Sequence, residues 1–136
     1  MTTNTITIKT GRAGGTAADG FKYHDTFAEV KVGDFLEEFL VTDTIVWEVI
    51  KVTPKTVTLR KAISTDRRHE DLQCDTGAYG LAVYWEEVEA WHNGPTQNLR
   101  LRKDGSLKIG SHTGASPLRP ARRIDGVPVR RIDHRF

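Results

Sequence analysis

Two β-prone runs joined by a very short polar link constrain the fold of this chain more than any other feature. The runs are Ile45 to Val52 (IVWEVIKV) and Thr56 to Ile63 (TVTLRKAI), and both are rich in Val, Ile and Thr. β-branched side chains suit a pleated strand, and the link Thr53-Pro54-Lys55 is short enough only for a tight connection. The pattern therefore predicts an antiparallel hairpin, with Trp47 in the core.

The residues before this hairpin contain further strand signals and one glycine-rich segment. Thr5 to Thr10 (TITIKT) alternates β-branched and polar residues as a short strand does, whereas Gly11 to Gly20 is small and polar and predicts a flexible loop. His24 to Val32 fits either a strand or a helical turn. Asp34 to Val41 fits a strand that pairs with the run beginning at Ile45, or a short helix with one apolar face.

The middle of the chain changes from polar to apolar character. Ser64 to Ala78 has six charged residues among fifteen and predicts a polar loop. Tyr79 to Trp91 (YGLAVYWEEVEAW) is apolar again and fits a strand or a helical turn, because some of its apolar residues fall at helical spacing. His92-Asn93-Gly94-Pro95 ends that element.

Two Asp-Gly pairs near the C-terminus predict two more hairpins, because Asp-Gly favours the two-residue turns that connect antiparallel strands. Pro128 restricts the last strand to a sheet edge or a bulge, since proline cannot donate a ladder hydrogen bond. The segments joined are Leu99–Lys103 with Ser106–Gly110 through Asp104-Gly105, and Arg122–Ile124 with Val127–Ile132 through Asp125-Gly126.

Short strands with regular turn signals predict a mostly β chain, with α+β as the alternative. The expected architecture is a curled antiparallel sheet or barrel of SH3-like or PUA-like size, with β-hairpins and at most one or two short helices. The length of 136 residues fits a single globular domain over residues 1–136. The absence of a long apolar run or a signal pattern, together with a single cysteine, Cys74, predicts a cytoplasmic protein without an internal disulfide.

Charge is distributed unevenly along the chain. From Gln97 to Phe136 ten basic side chains and three acidic ones give a net charge of +7, whereas residues 1–96 carry −5. Phosphate backbones attract such cationic strands by counterion release, so nucleic acid or another polyanion is the expected partner. The alternative is a solvated face partly neutralised by the acidic portion of the same molecule. The predicted anion-binding residues are Arg100, Arg102, Lys103, Lys108, Arg122, Arg123, Arg130 and Arg131.

Aromatic residues close to the basic segment suggest a second contribution to binding. Tyr84 and Trp85 are candidate stacking groups, because exposed rings beside arginines hold the bases of single-stranded nucleic acid. Core packing is the alternative for rings in a domain of this size.

Catalytic and metal-binding signals are weak by comparison. His69 and Cys74 are five residues apart without a partner pair of ligands, so no metal site and no cofactor is predicted. Cys74 with His69 or His92 is a possible nucleophile–base pair, and Glu87 with Glu89 is the carboxylate pair that would share a strand face. None of these groups lies in a recognisable catalytic motif, so the chain is predicted to have no catalytic residue.

Two stretches together resemble a known group of proteins. They are Val32-Gly33-Asp34 followed by VWEVIKVTPKTVTLRKA, and LRLRKDGSLKIG followed by the aromatic-ended IDHRF. The combination is similar to small accessory proteins of tailed phages and mobile elements, over Val32–Ile63 and Asn98–Phe136. It departs at Ser64–Ala78, where members of that group carry a longer insertion rich in cysteine or aromatic residues. The resemblance implies a phage-type origin and the cytoplasm of a host cell, and it assigns no functional residue.

The sequence thus leaves three functions open. The first is a non-enzymatic module that binds nucleic acid or another polyanion through its basic C-terminal β region. The second is a protein-interaction module, either an inhibitor of a host factor or a component of a homo-oligomer, in which acidic and basic parts pair between subunits. The third is a small enzyme built on His69, Cys74 or the Glu87–Glu89 pair.

Overall fold

A computed structural model describes residues 4–20, 22–40, 43–70, 83–109 and 116–133. The prediction of a mostly β chain is confirmed, because the described elements are strands apart from one 3-10 turn at Ala17–Asp19. The strands are β1 (Thr5–Ala13), β2 (His24–Lys31), β3 (Phe35–Leu40), β4 (Asp43–Val52), β5 (Thr56–Lys61), β6 (Ile63–Glu70), β7 (Val83–Glu89), β8 (Thr96–Arg100), β9 (Arg119–Pro120), β10 (Arg123–Ile124) and β11 (Val127–Asp133).

The described strands form three antiparallel sheets and not one closed barrel. The predicted hairpin is the centre of a five-stranded sheet in the order β8-β5-β4-β3-β9. A four-stranded sheet has the order β10-β11-β7-β6, and β1 pairs with β2 in a separate hairpin. A small curled β fold built from hairpins is therefore the architecture, as the sequence predicts.

The main core lies between the β1–β2 hairpin and one face of the five-stranded sheet. Side chains alternate along a strand, so every second residue of β5, and of β4 on each side of its bulge at Ile50, points to this face. Each buried aliphatic side chain in such a core contributes about 1.5–3 kcal/mol. The buried cluster consists of Ile6, Ile8, Val30, Leu36, Trp47, Val49, Val52, Val57, Leu59, Leu107 and Leu118.

Two strands pass from one sheet into the other. β5 ends at Lys61 and β6 begins at Ile63, with Ala62 between them still donating its N–H to the Val46 carbonyl at 2.9 Å. Ala121 plays the same part between β9 and β10, since its N–H donates to the Phe35 carbonyl at 2.9 Å. Strands that bend in this way form the corners between packed sheets. A second, smaller apolar cluster of Val46, Val88 and Ala121 fills the space between the two sheets.

Local sequence left three segments undecided between strand and helix, and all three contain strands. β2 occupies the segment from His24, β3 the segment from Asp34, and β7 the described part of Tyr79–Trp91. Residues 79–82 lie outside the described residues. β3 is a strand because β4 pairs with it on one side and β9 on the other. That second partner is about eighty residues away in the chain and invisible to a local pattern.

Two predicted loops are wrong over part of their length. Ile63–Glu70 forms β6, which pairs with β7, although the sequence of Ser64–Ala78 predicts a polar loop; residues 71–78 lie outside the described residues. Polar side chains of β6 contact charged side chains of β7, and these cross-strand pairs stabilise a strand that has few apolar residues. At the glycine-rich segment, Gly11–Ala13 continues β1 and pairs with β2, and the loop begins only after Ala13.

Both Asp-Gly pairs form turns, but only Asp125-Gly126 joins the two paired strands that the sequence predicts. Asp125 and Gly126 both have positive φ angles, 51° and 80°, and join β10 to β11 as the sequence predicts. Positive φ at both central residues is the requirement of the type I′ turn. Pro128 pairs with Arg123 and precedes the first residue that pairs with β7, so it occupies the permitted end of its strand.

Asp104-Gly105 also forms a turn, but the predicted hairpin around it is incomplete. The Arg102 N–H donates to the Ser106 carbonyl at 2.9 Å and Gly105 to the Arg102 carbonyl at 2.9 Å. The chain after the turn then leaves β8. Ser106 bridges to Lys9 of β1, and the Leu107 carbonyl accepts the Leu118 N–H at 2.8 Å. Leu107 is completely buried in the main core. Because this burial requires Leu107 to lie next to β1 and Leu118, the segment does not pair with β8 along its length.

Candidate nucleic-acid interface

The outer face of the five-stranded sheet at β8 carries exposed cations and small polar groups. Leu99 and Leu101 pack against the main core, so Arg100 points to the opposite face, as the alternation predicts. Strand register places Arg100 beside Thr56, and Lys51, Thr58 and Asn98 in one row next to them. We call these five residues, Lys51, Thr56, Thr58, Asn98 and Arg100, the β8 face.

The polar groups of the β8 face are held in defined positions. The Thr58 hydroxyl donates to Asn98 Oδ1 at 3.2 Å across the β5–β8 pair. Lys51, Asn98 and Arg100 are exposed, and Thr56 and Thr58 are half-buried. Hydroxyl, amide and cationic groups on an exposed sheet surface are the donors that contact phosphate and sugar oxygens. The geometry therefore supplies a small cationic surface.

The turn after β8 adds cations to the rim of this face. The Lys55 carbonyl accepts a hydrogen bond from the Leu101 N–H at 2.9 Å, which places Lys55 beside the end of β8. Lys103 is exposed in the turn. Asp104 is the acidic group in this turn. The Ser106 hydroxyl and N–H donate to its Oδ1 at 2.7 and 3.0 Å and, with nearby Lys9 and Lys108, hold the pKa of Asp104 below its usual value.

The second half of the predicted anion-binding set lies elsewhere. β8 and β9 are the opposite edges of the five-stranded sheet, separated by four strand spacings or about 19 Å. Arg122 and Arg123 follow β9, and Arg130 and Arg131 lie in β11 of the other sheet. Arg130 and Arg131 are neighbours in a strand, so their side chains point to opposite faces. The sequence-predicted residues therefore do not share one face. Arg100, Arg102 and Lys103 lie in β8 and the turn after it, and Lys108 lies near Asp104 of that turn.

Two buried carboxylates neutralise basic residues of the C-terminal segment. Glu37 is only 3% exposed; its Oε2 accepts Arg119 Nε and Nη2, both at 2.9 Å, and its Oε1 accepts the Arg122 N–H at 3.0 Å. Glu86 is similarly buried and pairs with Arg130 at 3.0 Å and with Arg68 at 3.8 Å. These contacts are the intramolecular neutralisation that the sequence offered as the alternative to a single binding strip.

The two candidate stacking rings are already covered by arginines. The Arg122 guanidinium carbon lies 4.5 Å from the centre of the Trp85 ring, and that of Arg68 lies 4.7 Å from the Tyr84 ring. Trp85 is buried and Tyr84 half-buried. A base could stack on either ring only after displacing its arginine, so these rings fit structural cation–π pairs better than an open stacking platform.

Among the described residues of the catalytic alternatives, the structure shows one direct side-chain contact, between His69 and Glu87. His69 Nε2 lies 2.7 Å from Glu87 Oε2, a contact across β6 and β7. Glu89 is exposed, and Cys74 lies outside the described residues. Within the described ranges, no three His, Cys, Asp or Glu side chains are grouped so that they could hold a metal ion.

Sequence reasoning missed Lys51 and Lys55. A bulge at Ile50 shifts the register between Val49 and Lys51, so Lys51 lies on the same face as Arg100. A bulge inserts one residue and reverses the side-chain alternation beyond it. The adjacent apolar residues Val49 and Ile50 are the local signal for it, because strict alternation would separate them.

No protein-family model, curated protein or solved structure matches this chain. In the part of the chain that the structure describes, no helix is long and apolar enough to cross a membrane.

Proposed function

We propose that this protein is a non-enzymatic β module that holds the phosphate backbone of a nucleic acid on the β8 face. The observation that carries the proposal is the strand register, which places Lys51 and Arg100 on one exposed surface with Thr58 and Asn98. Lys55 and Lys103 extend the positive charge along one rim. The resemblance to phage accessory proteins, which stays a prediction, fits a partner of this kind in a host cell.

Because the basic residues are separated, only those on and beside the β8 face are expected to contact the nucleic acid. Arg119 and Arg130 lie on strands away from β8 and are paired with buried carboxylates, so they do not extend the β8 face. The β8 face contains no exposed aromatic ring, and phosphate and sugar contacts carry no direct sequence information. The module is therefore expected to bind without strong sequence preference and with moderate affinity that falls steeply with salt.

Fluorescence anisotropy with labelled single- and double-stranded oligonucleotides tests the proposal. Binding at ~50 mM salt should weaken as salt rises, with a slope of about −0.7 per phosphate contact for a single strand. The double variant Lys51→Ala, Arg100→Ala should flatten that slope by about 1.4, because two contacts are removed.

Arg67→Ala is the matched control, because Arg67 is an exposed arginine on β6, in the other sheet. It should leave both affinity and slope unchanged. Equal losses in the control and in the double variant, or no binding at low salt, would contradict the proposal.

A second candidate function is self-association through β2, which one specific observation favours. Tyr23 and Phe27 are 76% and 60% exposed, and among the described strands β2 pairs only with β1. Antiparallel pairing with a second copy centred on Ala28 would place Asp25 of each strand opposite Lys31 of the other, which is a complementary arrangement. Light scattering at low and high salt tests it: a dimer lost in Phe27→Lys supports self-association, and a monomer at all concentrations dismisses it.

A further inference from the structure

A cleft lies between the β1–β2 hairpin and the β9 edge of the five-stranded sheet, which is the edge opposite β8. It has a volume of about 350 Å³, and its lining includes Thr10, Arg12, Thr26, Phe39 and Arg119. Pockets for small molecules in proteins begin at about 300 Å³. The cleft is therefore large enough for a small organic molecule and not only for an ion.

A β-bulge shapes one wall of this cleft. β1 and β2 pair at Lys9 with Phe27 and then at Gly11 with Thr26, so Thr10 is the additional residue. Gly11 has a φ of 142°, a conformation that side chains rarely adopt. The Thr10 and Thr26 hydroxyls lie 2.8 Å apart. Bulges redirect side chains, and this one brings two hydroxyl groups together at the wall of the cleft.

Arg119 forms the opposite wall and is held in a fixed orientation. Its Nε and Nη2 both donate to Glu37 Oε2 at 2.9 Å, and its guanidinium carbon lies 5.4 Å from the centre of the Phe39 ring. A guanidinium has five N–H groups, and the pair formed by Nη1 and the second hydrogen of Nη2 points away from Glu37. Such a fork matches two oxygens of a phosphate or carboxylate group. The Arg119 side chain is 50% exposed, so a ligand can reach it.

The charged side chains among the described lining residues of the cleft are cations, Arg12 and Arg119. Their carboxylate partners, Asp25 and Glu37, lie outside that lining, so the cleft presents positive charge to a ligand. Arg12 is 67% exposed, and its Nε lies 3.4 Å from Asp25. It can therefore turn towards a bound anion at small cost.

We propose that this cleft binds a phosphate monoester of a small organic molecule. Arg119 and Arg12 would hold the phosphate oxygens, the Thr10 and Thr26 hydroxyls would bond it or the adjacent ester oxygen, and Phe39 would contact the organic part. This site is separate from the β8 face, so it adds a small-molecule ligand to a protein proposed to bind nucleic acid.

Isothermal titration calorimetry of the full chain tests the cleft with adenosine 5′-monophosphate, ribose 5-phosphate and phenyl phosphate, and with adenosine and inorganic phosphate for comparison. We expect at least one monoester to bind with a Kd below ~1 mM and at least tenfold more tightly than inorganic phosphate. Adenosine should not bind. Failure of all three monoesters, or inorganic phosphate binding as tightly as the best of them, overturns the proposal.

Two variants and one control locate the binding site. Arg12→Ala removes an exposed group, and Arg119→Lys keeps a cation beside Glu37 while removing the fork. Each should weaken monoester binding at least tenfold, whereas Arg67→Ala at the exposed surface of β6 should leave it unchanged. Amide chemical shifts of Thr10 and Gly11 in the unmodified protein give a readout that does not depend on how the variants fold. If those amides do not shift, or if Arg67→Ala loses as much affinity as the two cleft variants, the monoester does not bind in the cleft and the proposal is refuted.

Discussion

Replacing Arg119 by alanine tests how much the buried carboxylate Glu37 depends on its long-range partner. Glu37 is 3% exposed and accepts two hydrogen bonds from the Arg119 side chain and one from the Arg122 backbone. Removing one member of a buried ion pair costs about 3–5 kcal/mol, because the other charge is left uncompensated. Here half of the Arg119 side chain is exposed and the Arg122 N–H remains. We therefore expect Arg119→Ala to lower the free energy of unfolding by about 2–3 kcal/mol.

A second substitution separates the charge effect from lost packing. Glu37→Gln in the Arg119→Ala background replaces an unpaired buried carboxylate with a neutral amide. The double variant should therefore be more stable than Arg119→Ala alone, by about 1 kcal/mol, although Glu37→Gln destabilises the unmodified protein. This reversal of sign is the signature of an uncompensated charge.

Urea unfolding at neutral pH, followed by the fluorescence of the three tryptophans, measures these differences. Arg100→Ala is the control, since Arg100 is exposed on β8, and a surface substitution of this kind should change stability by less than about 0.5 kcal/mol. If Glu37→Gln destabilises the Arg119→Ala variant as much as it destabilises the unmodified protein, the two residues are energetically independent and the reasoning fails.

Three further predictions concern turns and close contacts. Gly94→Ala should cost about 1–3 kcal/mol in urea unfolding, because an added Cβ would lie 2.5 Å from the Lys61 carbonyl oxygen, and an unchanged midpoint would contradict this. Gly126→Ala has open space around it but a φ of 80°, so it should cost only about 1 kcal/mol, and a loss well above about 2 kcal/mol would contradict this reasoning. Ser106→Ala removes the main cause of the lowered pKa of Asp104, so an NMR titration should show that pKa rise. Because a lowered folded-state pKa stabilises at neutral pH and this contribution disappears as pH falls through it, the variant should lose less stability on acidification than the unmodified protein.

Local sequence patterns predict the parts of this fold that are made by neighbours in the chain. The β4–β5 hairpin and the Asp125-Gly126 turn follow from strand propensity and turn chemistry within about ten residues. β6 could not be predicted in this way, because its sequence is polar on both faces. Arg68 lies opposite Glu86, and His69 contacts Glu87, so the partners that make a polar strand acceptable come from β7.

In the candidate site, too, local sequence predicts some positions, whereas others depend on distant parts of the chain. Simple alternation along β8 predicts that the Arg100 and Leu99 side chains point to opposite faces of the sheet, and in the structure Leu99 packs against the main core. Lys51 joins Arg100 only because the bulge at Ile50 reverses the alternation of β4. Whether a basic residue is engaged within the molecule depends on a buried acid elsewhere: 82 residues separate Glu37 from Arg119, and 44 separate Glu86 from Arg130. No short sequence window contains both members of such a pair.

The long-range ion pairs also have a consequence for biosynthesis. Glu37 and Glu86 leave the ribosome well before Arg119 and Arg130, and domains are made from the N-terminus at roughly 5–20 residues per second. During that interval Glu37 lacks the Arg119 guanidinium, and Glu86 has Arg68 but not yet Arg130. The nascent chain must therefore keep the Glu37 carboxylate in water and cannot close the space between the two sheets. We expect that space to close only after β9 and β11 have been made, with Arg119 and Arg130 as contacts of a late folding step.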